Sequence, residues 1–143
     1  MNRQSRADSG FTVLELLVAM GVATVLMAIA VPSFFSWLPA LRLSAATRQV
    51  VADLRGARMK AISQSASFQL NFSGTAYVIQ KCAGACTNDS GNIVLPEGIT
   101  ASTSATPQFL PRGTASSGAT ITLSNGVASR QVQVTPVGRV KII

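Results

Sequence analysis

The sequence contains no histidine, and only five of its 143 residues are acidic. Histidine is the most common general acid or base in enzymes and a frequent zinc ligand, so both kinds of site lack their usual residue. The acids Asp53, Asp89 and Glu97 lie on separate segments, which argues against a pair of catalytic carboxylates. No phosphate-binding glycine loop or nucleophile motif is present. The composition therefore predicts a protein that is not an enzyme and that needs neither a cofactor nor a metal.

Charge is absent from the whole stretch between Leu16 and Leu41. As an α-helix this stretch would extend roughly 39 Å, which exceeds the roughly 30 Å thickness of a bilayer core. The chain from Arg42 onward is polar and rich in glycine, serine and threonine. The sequence therefore predicts one transmembrane helix followed by a small globular domain.

The ten residues before this helix, MNRQSRADSG, are basic and have no apolar core. A secretory signal has its hydrophobic segment before the cleavage site, whereas cleavage after Gly10 would leave that segment in the product. Arg3 and Arg6 favour a cytoplasmic N-terminus, and a long downstream domain crosses the membrane largely regardless of its charge. We therefore expect the globular domain outside the cytoplasm.

The segment GFTVLELL, beginning at Gly10, resembles the processing site of type IV pilins and pseudopilins. The resemblance implies that a prepilin peptidase cuts after Gly10 and that the new N-terminal residue, Phe11, is N-methylated. It also implies a single-pass protein of the inner membrane, with a periplasmic C-terminal domain, that assembles into a filament with other pilin or pseudopilin subunits. Pro32 falls where pilins often have a helix-breaking proline, so we expect an interruption there and at Pro39.

Glu15 stands inside the apolar run, where an unpaired carboxylate is costly. Cleavage would create a charged amine on Phe11, and in a filament that amine on one subunit can pair with Glu15 of its neighbour. A buried carboxylate with a partner is tolerable, whereas an unpaired one is heavily penalised. The alternative is that Glu15 simply reaches the lipid headgroup layer from the helix end.

The sequence of the globular part predicts a helix followed by short strands. Between Arg42 and about Gln64, apolar residues at steps of three and four form one stripe, while Arg48 and Arg55 lie on the opposite, solvated face. The expected strands are Ser67–Ser73, Thr75–Lys81, Asn92–Leu95, Ile99–Ser102, Gln108–Leu110, Ala119–Ser124, Arg130–Thr135 and Arg139–Ile143. The predicted fold is α+β: a long N-terminal helix, transmembrane in its first part, that continues into a domain with an antiparallel sheet. The expected segments are a cleaved leader (1–10), a transmembrane and filament-core helix (11–41) and an exported domain (42–143).

Motifs in the globular part narrow the resemblance. The run LRGAR at 54–58 and Ala61-Ile62 are followed by Phe109, Gly113 and Gly138-Arg139, an order that resembles the FimT/GspH group of minor pilins and pseudopilins. The resemblance covers nearly the whole chain. FimT-type members have a Gly-Arg-x-Arg tail that contacts DNA during uptake, and this chain has lysine at the fourth place of that motif.

Cys82 and Cys86 enclose only three residues. Outside the cytoplasm such a close pair favours a local disulfide over free thiols. A metal site would need more ligands than these two thiolates, in a chain without histidine.

The exported domain is strongly basic. From Arg42 onward the sequence has ten Lys or Arg and three Asp or Glu, a net charge of +7. This excess indicates either an anionic partner, which could be nucleic acid, membrane headgroups or an acidic subunit, or a device for solubility. If the tail is an extended strand, Arg139 and Lys141 share one face while Val140 and Ile142 share the other. The expected DNA contacts are Arg139 and Lys141, with Arg130 and Arg112 adding to them.

Three functions are compatible with the sequence. The first is a minor pilin that helps pilus assembly and contacts DNA through its tail. The second is the H-type minor pseudopilin of a type II secretion system. The third, a lone membrane-anchored sensor domain, leaves the segment from Gly10 to Glu15 unexplained.

Overall fold

The computed structural model describes residues 11–143, and the side chains of all of these except 32, 33, 35 and 36. The expected leader and its cleavage residue Gly10 lie outside this range. The chain divides into two compact units, of which the first ends at Trp37 and the second comprises Leu38–Ile143.

One helix, α1, spans Val13–Ser63 and belongs to both units. Its segment Val13–Val31 has a mean hydropathy of 2.4 and none of it is buried within the structure, so it is long and apolar enough to cross a membrane. Phe11 is 85% exposed and Leu14 is 72% exposed. A continuous apolar surface of this extent needs lipid or protein to cover it.

The expected helix interruption at Pro32 and Pro39 is not found, because α1 continues through both positions. A proline removes one backbone donor and crowds the preceding turn. The hydrogen bonds of the neighbouring turns can still hold the helical path, as is common for prolines in membrane helices. The chain is therefore helical at both positions in this conformation, and loosening of the helix at Pro32 on assembly into a filament stays a prediction.

The second unit begins with the C-terminal half of α1, whose buried stripe follows the predicted spacing. Each of its stripe residues is at most 2% exposed: Leu43, Ala46, Val50, Leu54, Ala57 and Ala61. Arg48 and Arg55 are exposed on the other side, as predicted. The helix ends just before Ser65, which takes a left-handed conformation at φ 48°. The chain then turns into the first strand.

Nine short strands follow the helix. They are β1 (Ser67–Ser73), β2 (Ala76–Ala83), β3 (Ala85–Asn88), β4 (Ile93–Val94), β5 (Thr100–Thr103), β6 (Gln108–Phe109), β7 (Ala119–Ser124), β8 (Ser129–Val134) and β9 (Val140–Ile142). The predicted strands therefore form, with shifts of one or two residues at several ends, and β3 is an additional strand.

The strands form two antiparallel sheets, whereas the sequence predicted a single one. The first sheet has the order β3-β2-β1-β6, with β4 also paired to β2, and the second has the order β5-β7-β8-β9. A bridge between Gly74 and Ala101 joins the two sheets. The buried stripe of α1 forms one core with both sheets, including Phe68 and Phe109 of the first and Ile121 and Val132 of the second.

Candidate functional site: the N-terminal segment and a basic pocket

The first candidate site is the start of α1. The backbone N–H of Glu15 donates to Thr12 Oγ1 at 3.2 Å, so Thr12 acts as an N-cap of the helix. The Glu15 side chain lies exposed in the first helical turn, four residues after Phe11. Within residues 11–143 its carboxylate forms no ion pair with a side chain of the same chain. Its position leaves it available to a cation from another molecule.

The second candidate site depends on a close contact between three segments of the second unit, which we call the glycine junction: Arg58, Gly113 and Gly138. The Arg58 Nε–H donates to the carbonyl oxygen of Gly113 at 2.8 Å. A Cβ on Gly138 would lie only 2.0 Å from that same oxygen and 3.1 Å from Arg58 Nε. Both glycines have φ +80°, a left-handed conformation that side chains disfavour. Glycine is therefore required at Gly138 for conformation and for space.

The turn between β8 and β9 fixes the residue that follows this glycine. The N–H of Gly138 donates to the Thr135 carbonyl at 2.8 Å, and the N–H of Thr135 donates to the Arg139 carbonyl at 2.9 Å. The Arg139 N–H also donates to Thr135 Oγ1 at 3.2 Å. These bonds hold the Arg139 backbone at one position beside the helix.

A pocket of about 490 Å³ lies at the glycine junction, and we call it the basic pocket. Its lining is formed by α1 and by the β8–β9 turn with the start of β9: Arg55, Arg58, Met59, Gly138, Arg139 and Val140. Arg55 and Arg58 come from successive turns of one helix face, because residues three apart are neighbours there. Three arginine residues therefore line one cavity.

No carboxylate lines this pocket, and the three acids of the second unit are engaged elsewhere. Asp89 forms an ion pair with Lys60 at 2.7 Å. Glu97 lines a different cavity together with Arg42. Asp53 accepts a hydrogen bond from the buried Tyr77 hydroxyl. The pocket consequently has a positive potential that neighbouring side chains do not neutralise.

The contact between Asp53 and Tyr77 joins α1 to the first sheet. Burial of the Tyr77 ring, then the hydrogen bond to Asp53 and the negative charge of Asp53, raise the pKa of the Tyr77 hydroxyl well above its ordinary value. Tyr77 is fully buried and also packs against the ring of Phe72, with a centroid distance of 5.1 Å. A phenol that resists ionisation is suited to a structural role in the core.

The four residues predicted to contact DNA are not all brought together. Arg139 lines the basic pocket, and the exposed Arg112 directly precedes Gly113 of the junction. Lys141 is opposite Gln133 in the β8–β9 register and lies outside the pocket lining. Arg130 is opposite the buried Leu123, so by strand alternation it belongs to the other face of the sheet from Lys141.

The sequence interpretation missed the two helix arginines as site residues. It assigned Arg55 to a solvated face, and it used Arg58 only as part of a family motif. The spacing of three between them indicates a shared helix face, but the glycines that bring the turn close are 55 and 80 positions away from Arg58 in the chain. Only the folded structure shows that they meet.

The cysteines form a bonded pair at the end of the first sheet. Cys82 Sγ and Cys86 Sγ are 1.99 Å apart, and the two residues are direct partners across β2 and β3. Gly84, at φ 95°, allows the tight reversal between these strands. The link lies at the edge of the first sheet, and neither cysteine lines the basic pocket.

Two family models match this chain. The model described as type II transport protein GspH matches residues 46–138, well over half of the chain. The model described as the prokaryotic N-terminal methylation motif matches residues 5–31. No curated protein matches the chain.

Solved structures show the same fold. The type IV minor pilin FimU of Pseudomonas aeruginosa strain PAO1 has a TM-score of 0.60 at 19% identity, covering 71% of this chain and 87% of that one. The minor pseudopilin EpsH of the type 2 secretion system of Vibrio cholerae has a TM-score of 0.59 at 11% identity, covering 71% of this chain and 96% of that one. The two are about equally similar, so the fold does not separate pilin from pseudopilin. With its methylation motif, its apolar N-terminal helix and its match to the family model, the chain belongs to the GspH family and is a minor pilin or pseudopilin.

Proposed function

We propose that this protein is a minor subunit of a type IV filament, held in the inner membrane by α1 until it is assembled. In this proposal the second unit is periplasmic, a prepilin peptidase removes residues 1–10, and the amine of Phe11 is methylated. The observation that carries the proposal is an exposed apolar helix with one carboxylate, Glu15, in its first turn, directly after the residue that processing would make N-terminal. The Phe11 amine of one subunit would then neutralise Glu15 of the next.

Processing is tested by the intact mass of protein extracted from membranes. The expected product begins at Phe11 and has the mass of one added methyl group. Retention of Met1 in cells with an active prepilin peptidase would contradict the proposal. Cells without the peptidase provide the control, in which the full-length mass is expected.

The pairing of Glu15 is tested by recovery in sheared filaments. Glu15→Val and Glu15→Gln should be processed and inserted normally but should be absent from filaments, because neither can neutralise the amine of a neighbour. Glu15→Asp keeps the charge and should be partly recovered. Normal recovery of Glu15→Val would remove the pairing role.

The filament in question is proposed to be a pilus, with DNA contact at the basic surface around Arg139. Successive side chains on one face of a strand are roughly 6.6 Å apart, and one DNA strand presents a phosphate about every 3.4 Å of helix axis. Arg139 and Lys141, with Arg112, would make about three phosphate contacts and give a log–log salt slope of about −3 without sequence preference. Arg139→Gln should weaken duplex binding most. Unchanged binding and salt slope in Arg139→Gln and Lys141→Gln would exclude these residues as the contact.

The second candidate function is the H-type minor pseudopilin of a type II secretion system. It is favoured by the description of the matching family model and by the likeness to EpsH. Deletion of the gene separates the two candidates. Loss of surface pili with normal protein secretion supports the pilus, and loss of secretion with normal pili supports the pseudopilus. Genes for one system or the other beside this gene would give the same answer.

A further inference from the structure

The basic pocket has the features of a built anion site. Arg58 is held in place, because its Nε–H is bonded to the Gly113 carbonyl and its two terminal nitrogens remain to bind a ligand. Arg55 and Arg139 line the same cavity, and in the part of the chain that the structure describes no carboxylate pairs with any of the three guanidiniums. Guanidinium groups bind phosphate oxygens in a bidentate manner, which makes phosphate the anion best suited to such a cluster.

The pocket is larger than one phosphate group requires. Its volume of about 490 Å³ is in the range of pockets for small organic ligands, roughly 300–1,000 Å³. Two of its lining residues, Met59 and Val140, are apolar, and Met59 is 64% exposed. A polarisable thioether and the flat faces of arginines are surfaces on which an unstacked base can lie. The cavity therefore offers a charged part and an apolar part side by side.

We propose that the basic pocket binds one nucleotide of a single-stranded nucleic acid, with its phosphate on Arg55, Arg58 and Arg139 and its base against Met59. This inference rests on the proposed DNA contact of the basic surface, and it specifies which form of nucleic acid is bound. In a duplex the faces of the bases are stacked against each other, so only the base edges and the sugar–phosphate backbone are accessible to a protein. A single strand can place a base in the pocket, and stacking of bases on side chains adds to the backbone contacts when proteins bind single strands.

The test uses the full chain in a non-ionic detergent and measures the anisotropy of a labelled oligothymidine and of a duplex of equal length. We expect the single strand to bind about 10-fold more tightly than the duplex. Arg55→Gln should weaken single-strand binding about 10-fold, because it removes a charged contact from an exposed side chain that holds no other part of the fold. Met59→Ala should weaken single-strand binding several-fold and leave duplex binding unchanged.

Arg48→Gln is the matched control. Arg48 is an exposed arginine two helical turns before Arg55 and does not line the pocket, so the variant has the same net charge as Arg55→Gln without loss of a pocket group. Equal effects of the two substitutions, or a duplex that binds as tightly as the single strand, would overturn the proposal. Competition by free nucleotide and by glycerol 3-phosphate gives a further criterion. Stronger displacement by glycerol 3-phosphate would identify a lipid-headgroup site instead and would equally overturn it.

The results also separate this proposal from the broader DNA contact. If the duplex binds and responds to Arg139→Gln and Lys141→Gln but not to Arg55→Gln, the pocket proposal fails and the surface contact stands. If neither form of DNA binds at low salt, both fail.

Discussion

Replacement of Gly138 by alanine tests the glycine junction most directly. The added methyl group would be placed 2.0 Å from the Gly113 carbonyl oxygen, which is a backbone atom and cannot rotate away as a side chain would. The residue would also have to keep φ at +80°. The left-handed conformation costs an alanine about 1–2 kcal/mol, and forcing a methyl group into filled space costs about 1–3 kcal/mol more. We expect Gly138→Ala to lower the free energy of unfolding by about 3 kcal/mol.

Gly126→Ala separates the two contributions. Gly126 has nearly the same conformation, φ +83°, but no atom lies within 4 Å of the position of its added Cβ. Its substitution should therefore have only the conformational penalty, about 1 kcal/mol. The difference of about 2 kcal/mol between the variants would measure the close approach of Gly138 to Gly113.

The assay is thermal unfolding of the fragment Leu38–Ile143, followed by far-UV circular dichroism. All residues of the hydrophobic core lie between Leu43 and Val140, so we expect this fragment to fold without the rest of α1. At about 4 °C or more per kcal/mol for a domain of this size, Gly138→Ala should lower the Tm by roughly 12 °C and Gly126→Ala by roughly 4 °C. Equal decreases in Tm in the two variants would refute this prediction, because the close approach of Gly138 to Gly113 would then add no cost of its own.

Two further predictions concern the first sheet. Because Cys82 and Cys86 are joined, alkylation of the unreduced protein should add no mass, and an alkylated product without reduction would contradict the disulfide. Reduction should lower the free energy of unfolding, measured in urea, by about 2 kcal/mol. Tyr77→Phe should lower stability by about 1 kcal/mol through loss of the bond to Asp53. Because folding raises the pKa of Tyr77, its contribution is complete below the ordinary tyrosine pKa near 10 and declines as the pH rises above it. The free energy of unfolding, measured by urea titration between pH 8 and 11, should fall with rising pH in the wild type and fall less in Tyr77→Phe. An equal dependence on pH in the two proteins would contradict this contribution of Tyr77.

The helix and most strands were predictable because their apolar residues recur at the spacing that each kind of element requires. The stripe from Leu43 to Ala61 follows the helical repeat, and Ser67–Ser73 and Ala119–Ser124 form strands with the predicted bounds. The turn between β7 and β8 contains Asn125-Gly126, a pair that favours tight reversal. In these elements burial on one side and solvent on the other impose a pattern that is visible in the sequence.

The strand β3 was not predictable in this way. All four of its residues, Ala85–Asn88, are exposed, so no alternation of apolar and polar residues marks it. Its partner β2 and the short turn at Gly84 induce it instead. The division into two sheets was missed for a related reason, because a strand pattern identifies strands without identifying their neighbours.

The candidate site was predictable in part. The N-terminal motif is contiguous, so its resemblance to pilin processing sites is visible in the sequence; the roles of Gly10, Phe11 and Glu15 that it implies stay predictions. The basic pocket is assembled from α1 and from a turn 80 residues later, at a junction that needs two glycines with positive φ. Arg139 was selected from its place in the tail, whereas Arg55 and Arg58 become site residues only through that long-range contact.

The same contact determines which substitutions are informative about function. Arg58 both bonds to the Gly113 carbonyl and lines the pocket, so loss of ligand binding in Arg58→Gln would have two possible causes. Gly138 has the same ambiguity, because its substitution displaces the segment that presents Arg139. Arg55 is exposed and its side chain forms no hydrogen bond or ion pair within the described part of the chain, so its replacement changes the charge of the pocket and leaves the junction intact. Substitution of Arg55 therefore tests the functional role of the pocket, and substitution of Gly138 tests the structural role of the junction.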